Sequence, residues 1–332
     1  MSTPTETPSP AIGLVGGNAL PGGVMMRTSH RVGIAVRQEA TGQIATEGFD
    51  LERPSGRWMT LPLARGIFAM RTALRTGKQA MLISDRLRWA GSDTDEQMSD
   101  EPLGWGAKAL MVVGVVVGIA LEILAFRVAP IVIAKEVGLT GLAFIVADAA
   151  IRLGLLLGML LVMSALPPFR RILSYHGAEH QAIAAFESGG PLTASAAAGF
   201  TRFHPRCGTS FLVVSAAVSV GVYGVVLWAT GNFSYVALIA TRIVLAPLVT
   251  AIAFEFQRQA ARLADGPWRF LSAPGMWAQH LTTRPPGIGE LEVAVAALQE
   301  ALSAPEHALH LTYSALPGVA GVPVVDVPSA AG

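Results

Sequence analysis

The chain has few cysteines and few charges. Among its 332 residues there is one cysteine, Cys207, and only 14% of the side chains are charged. A lone cysteine cannot close an internal disulfide, so nothing around it calls for an oxidising compartment. Lys and Arg (24) nearly balance Asp and Glu (23), and no dense basic block occurs, which excludes nucleic acid as a main partner. The Gly-rich stretch from Gly13 to Arg37 lacks the G-K-[ST] of a phosphate loop, so its glycines read as turn formers. The first eleven residues, MSTPTETPSPA, have neither the basic nor the apolar part of a signal peptide and read as a disordered tail.

Apolar side chains, by contrast, are plentiful. A hydrophobic content of 52% and a mean hydropathy of +0.50 point to a membrane protein. Four long apolar runs, about Trp105–Ile133, Leu139–Leu166, Thr209–Thr230 and Tyr235–Phe254, are each long enough to cross about 30 Å of hydrocarbon. Short connections at Ala134–Gly138 and Gly231–Ser234 pair them into two hairpins. Arg and Lys collect before the first run, within 167–208 and after the fourth, which places those regions in the cytoplasm.

The expected fold is therefore an α-helical integral membrane protein with four transmembrane helices in two hairpins and a small N-terminal α+β cytoplasmic region. Residues 12–104 form that region, 105–166 the first hairpin and 209–254 the second. Residues 167–208 are a cytoplasmic insert, 255–314 carry cytoplasmic helices, and 315–332 read as a second disordered tail. Within 12–104, Arg31 to Arg37 alternates as a strand, Glu39 to Gly42 suits a turn, and Gln43 to Phe49 follows as a second strand. Leu61 to Trp89 reads as a basic amphipathic helix that either covers this sheet or lies on an anionic membrane surface. Ser92 to Pro102 is an acidic linker. Glu290 to Leu302 is a second amphipathic helix, with Leu291, Val295, Leu298 and Leu302 on one side.

The apolar runs carry charges that need partners: Glu122, Arg127, Asp148, Arg152 and Arg242. Asp148 and Arg152, four apart, can pair on one helix face. Pro247 should kink the fourth run.

The insert holds the strongest chemical signal. His176-Gly-Ala-Glu179-His180 reads H-x-x-E-H on a helix that Pro167-Pro168 starts and Gly189-Gly190-Pro191 stops. On a helix, His176 and His180 stand one turn apart on one face. Two imidazoles so placed can share a divalent metal, zinc by ligand type, with Glu179 as general base. Solvated surface histidines are the plainer alternative. Against it stands a second cluster, His204-Pro-Arg-Cys207, just before the third run. The remaining ligand is open among Glu255, His204 and Cys207. Glu255 is somewhat favoured by its interval from His180, and Glu187 is excluded because it lies about 10 Å along the axis from His180.

Four stretches, GGNALPGGVMMR (16–27), YHGAEHQ (175–181), RFHPRCGTSF (202–211) and QHLTTRPP (279–286), resemble the YqhQ-like bacterial membrane family. That family is of unknown function and is described as a predicted metal-dependent enzyme. The resemblance runs from about 13 to 302 and implies a multi-pass bacterial inner-membrane protein with both termini in the cytoplasm. His176, Glu179, His180, His204 and Cys207 match the family pattern. The chain departs from it at Gly22, where the family has a Glu, and at Gln181, where it has a Lys.

Three functions follow in order of preference. The first is a metal-dependent hydrolase of amide or ester bonds at the membrane face, acting on a peptide or lipid-linked substrate. The second is a non-catalytic scaffold with a structural metal clamp. The third is a transporter using the charges within the apolar runs. The lipid bilayer is the partner all three share, and self-association stays open.

Overall fold

The computed structural model describes residues 15–51, 61–91, 104–262 and 272–303. Both tails and the acidic linker lie outside the described residues. Four antiparallel strands in sequential order open the chain: β1 (Gly16–Leu20), β2 (Gly23–Arg27), β3 (Arg31–Arg37) and β4 (Ile44–Asp50). Pro21-Gly22 joins β1 to β2. Proline presets the first turn position, and Gly22 takes the positive φ of 75° that the second requires. The Gly-rich stretch expected to form turns thus also builds two strands. Small side chains weaken the alternation that marks a strand, and pairing supplies what local pattern does not.

Alternation in β3 decides the layering. Val32, Ile34 and Val36 face one side and pack with Met25 and Ala80. Gly33 and Ala35 face the other, where the C-terminal helix α11 (Ile288–Leu302) approaches so closely that a Cβ at Gly33 would strike its backbone at Ala297 and Ala301. Ala80 belongs to α1 (Ala64–Trp89), which runs unbroken through Gly77 and covers the sheet with its second half. Its first half packs on a later helix, where Gly66 meets Ala251 and Phe254. Leu74 and Leu82 remain exposed, at 68% and 63%. The sheet-covering reading of α1 therefore describes its position, and an apolar stripe is left outward.

The first apolar run is one helical rod of 32 residues, Trp105–Glu136. It consists of α2 (Trp105–Glu122), a π-helical turn at Ile123–Val128, and α3 (Ala129–Glu136). Next come α4 (Gly141–Ala165), α5 (Pro167–Glu187), the short α6 (Ala194–Ala197) and α7 (Ser210–Thr230). The fourth run is α8 (Tyr235–Val244) and α9 (Ala246–Arg262), bent by 50° at Leu245. Pro247, two residues on, has no N–H to continue the ladder and crowds the preceding turn. Among the described residues three helices are long and apolar enough to cross a membrane, and four if the bent pair is one span. No residue of α2 is buried, and its valines and leucines point outward.

Between these helices the expected pair forms. Asp148 accepts from Arg152 on its own helix and forms an ion pair with Arg242 on α8 at 2.6 Å. Arg152 also donates to the Ser219 hydroxyl, and Arg242 donates to the Arg127 carbonyl at 2.8 Å. One carboxylate thus ties α4, α7, α8 and the π-helical turn together through two arginines.

Candidate metal centre

Helix α5 starts on two prolines and buries nearly every residue from Tyr175 to Ala185. On its other side the segment after α10 (Ala273–Thr282) runs alongside, and the Arg284 N–H donates to the Leu173 carbonyl at 2.9 Å. Gly177 makes this approach possible, because a Cβ there would strike the Arg284 carbonyl. The close passage puts the Thr282 carbonyl 2.7 Å from His176 Nδ1. The Arg202 carbonyl lies 2.5 Å from His180 Nδ1. A carbonyl accepts only, so each Nδ1 carries its proton and each Nε2 presents a lone pair.

The two rings lie edge to face with centroids 4.5 Å apart. Cys207 closes the group, with Sγ 3.3 Å from His176 Nε2. His176, His180 and Cys207 offer three ligand atoms within 4.8 Å of one another, a set that could hold a metal ion. Cys207 sits just before α7, where Thr209 Oγ1 lies 3.0 Å from its sulfur and the Thr209 N–H donates to it at 3.4 Å. These donors pull the thiol toward its ionised form, but burial outweighs them and raises it.

Glu179 stands beside the group. Its Oε2 is 4.0 Å from His176 Nε2 and, buried, has no hydrogen-bond partner among the described residues. Strand β1 presses on it from the other side, since a Cβ at Gly17 would come within 2.7 Å of the Glu179 side chain. Burial pushes the Glu179 carboxyl up to about 8, with His176 pulling the other way. Burial also pushes His180 down to about 3 and His204 down to about 4, and raises the Cys207 thiol. Burial is the largest cause of all four shifts, because it strips the ionised forms of solvation. A cation among these atoms would reverse that logic for the thiol and the carboxyl. The donor set, the fixed tautomers and the orphaned carboxylate oxygen therefore fit a divalent metal, and two imidazoles with one thiolate suit zinc.

The other expected ligands lie elsewhere. Glu255 is turned to α1, where Arg65 and the Leu63 N–H hold its carboxylate. Interval alone pointed to it, but residues two apart on a helix face nearly opposite ways. It is Gln257 that meets the site, donating to the Cys207 carbonyl at 3.0 Å. His204 lies near His180, with ring centroids 5.7 Å apart, but its Nε2 faces Glu187 at 3.4 Å. Glu187, too far along α5 to reach the first two histidines, thus anchors the HPRC loop through His204 and Arg206.

Sequence reasoning missed the clamp on that loop. Gln279, fully buried on α10, accepts from the His204 N–H and donates to the His204 carbonyl, both at 2.8 Å. The only sign of it was the stretch 279–286, which contains both Gln279 and the Thr282 carbonyl that orients His176. His176, Glu179, His180, His204 and Cys207 line a cavity of about 620 Å³ that reaches from β1 to Leu212 on α7.

The family described as "Protein of unknown function (DUF1385)" matches residues 61–304. The chain belongs to that family. It is 28% identical over 302 residues to the Bacillus subtilis (strain 168) protein described as "Uncharacterized protein YqhQ", covering 86% of this chain and 92% of the relative. No solved structure matches it.

Proposed function

We propose that the chain is a multi-pass membrane protein with a metal-dependent hydrolase site at the cytoplasmic face of a bacterial inner membrane. One observation carries the catalytic part: three ligand atoms converge within 4.8 Å while a buried carboxylate with a spare oxygen stands beside them. The membrane part rests on helix length and on the outward apolar side chains of α2, which in water would be a large exposed patch. The Arg-rich segments before α2, between α4 and α7, and after α9 support a cytoplasmic side for the site by the positive-inside rule.

A divalent ion held by His176, His180 and Cys207 would polarise a carbonyl and lower the pKa of water. The chain's own residues do the rest. Thr282 and Arg202 hold the two imidazoles as Nε2 donors. Glu179 takes a proton from water as the water oxygen adds to the carbonyl carbon. The bond to nitrogen or oxygen then breaks, and Glu179 returns the proton to the departing amine or alcohol.

A second reading has one observation in its favour. Glu179 is close enough to His176 to serve as a fourth ligand, which would close the site and make it a structural clamp. Purified protein separates the two readings through metal content and activity. His176→Ala or His180→Ala should lose the metal. Glu179→Gln should keep it and lose turnover by 10²–10⁴-fold for a missing general base. Loss of metal in Glu179→Gln as well would select the clamp, and absence of metal from every form would reject both.

A further inference from the structure

The cavity beside the histidines has a wall of unusual make-up. Every residue from Val15 to Ala19 lines it. Consecutive strand residues point to opposite faces, so no single face of β1 can present them all; what faces the cavity is the strand's edge. In the sheet, β1 is the outer strand, paired only with β2 among the described residues. Its second edge therefore turns unpaired N–H and C=O groups toward the cavity that holds His176, His180 and Cys207. No described atom stands within 4 Å of where a Gly16 side chain would be, so the strand's face is open beside that edge, and glycine lets another backbone come close.

A charge belongs to the same wall. Arg27 sits directly opposite Gly16 on β2 and lines the cavity. Among the described residues its guanidinium has neither a carboxylate nor a carbonyl partner, and burial alone lowers its pKa. Its neighbours differ. Arg31 is held by Asp50 and Glu300, and Arg37 by Glu292. A half-buried guanidinium left unpaired in a cavity costs desolvation that an incoming anion would repay.

We infer that the free edge of β1 and Arg27 together form the cleft for an extended peptide that carries a carboxylate and is cleaved at the histidine–cysteine site. This rests on the hydrolase reading above and names its substrate class. The peptide adds as a strand to β1, main chain to main chain, while Arg27 takes an acidic side chain or a terminal carboxylate at a fixed offset from the cut bond. The β1 strand also touches Glu179 through Gly17, so a chain laid on this edge passes the general base.

The test uses the full chain in detergent with added zinc and a library of synthetic twelve-residue peptides, half with free and half with amidated C-termini. Mass spectrometry should find cuts at a fixed distance from an acidic residue. If only the free-terminus half is cut, the carboxylate is the C-terminus. The best peptide is then N-methylated one position at a time and its binding to Glu179→Gln protein followed by fluorescence anisotropy. Binding should weaken by about tenfold or more at alternate positions, since an added strand bonds through every second residue. Arg27→Gln should keep its metal and lose the acidic preference by about tenfold. Aperiodic N-methyl effects, or an unchanged preference in Arg27→Gln, would overturn the cleft. Metal bound at full stoichiometry with no peptide bound would overturn the peptide proposal and leave the metal reading standing. Absence of metal would remove the reading beneath it.

Discussion

Two buried polar clusters lie in this molecule, and they are built in opposite ways. Around Asp148 each charge meets its opposite: Arg152 and Arg242 share one carboxylate, and Ser219 and the Arg127 carbonyl take remaining donors. Around His176 and His180 no arginine or lysine pairs with the carboxylate among the described residues; Glu179 keeps a bare oxygen, and burial favours the neutral forms of Glu179 and His180. The first cluster is complete in its charge pairing and ties four helices together. The second is complete only on the side of its backbone donors and acceptors, and its lone pairs point at one another. A protein stabilised by its polar groups resembles the first. A protein that uses them on something else resembles the second.

The largest expected effect sharpens that contrast. His180→Ala should take bound metal from about one equivalent to none, read by elemental analysis of purified protein, while Asp148→Asn leaves metal content unchanged. If Asp148→Asn also empties the site, the two clusters are not independent.

Next in size is the cost of breaking the complete cluster. Asp148→Asn leaves two guanidiniums facing each other and should destabilise the fold by about 3 kcal/mol or more. Replacing Asp148, Arg152 and Arg242 together by Leu should recover most of that in unfolding measured in detergent. A triple variant as weak as Asp148→Asn would show that the cluster does more than neutralise itself.

Gln279→Ala tests the clamp on the HPRC loop. It leaves the His204 N–H and carbonyl buried without partners, which costs about 1–3 kcal/mol, and it should weaken zinc binding by about 10–100-fold as orienting partners do. Unchanged zinc affinity would mean that Cys207 is placed by Gln257 and Thr209 alone.

pH dependence comes next. In metal-free protein, folded Glu179 titrates near 8, well above the ordinary carboxyl value, so the folded state binds the extra proton between about 4.5 and 8. Stability should fall as pH rises through that window. His180 and His204 titrate near 3 and 4 when folded, so the unfolded chain binds more protons below about 6.5. Stability should also fall as pH drops below that value. Thermal unfolding from pH 6.5 to 8 should show the decline in metal-free wild type and its absence in Glu179→Gln. A wild-type curve flat over that range would place the Glu179 carboxylate in a wetter site.

The smallest perturbation concerns topology. In a Cys207→Ser background, single cysteines at Ser188 and Asn232 should label from opposite sides of the membrane. Labelling from the same side would break the two-hairpin arrangement.

Much of this architecture follows from local pattern. The alternation in Arg31–Arg37 marks β3, the length of the apolar runs marks α2 to α4 and α7 to α9, and Pro247 marks the bend. The spacing in H-x-x-E-H puts His176 and His180 on one helix face whatever surrounds them. These are short-range rules, and a sequence states them directly.

What tertiary structure alone decided lies between elements distant in the chain. The N-terminal sheet finishes its core with α11, some 250 residues later, because Gly33 leaves room for that helix to lie against β3. Cys207, and not Glu255, meets the histidines because the rotation of α9 turns Glu255 to Arg65 and Gln257 to the site. Gln279, Thr282 and Arg202 orient the cluster through backbone and amide groups that any sequence could supply. Only the close passage permitted by Gly177 makes the Thr282 carbonyl a ligand-orienting group. Periodicity determines which residues share a face; which face meets which is set by packing the whole chain, where each small side chain admits one neighbour and excludes the others.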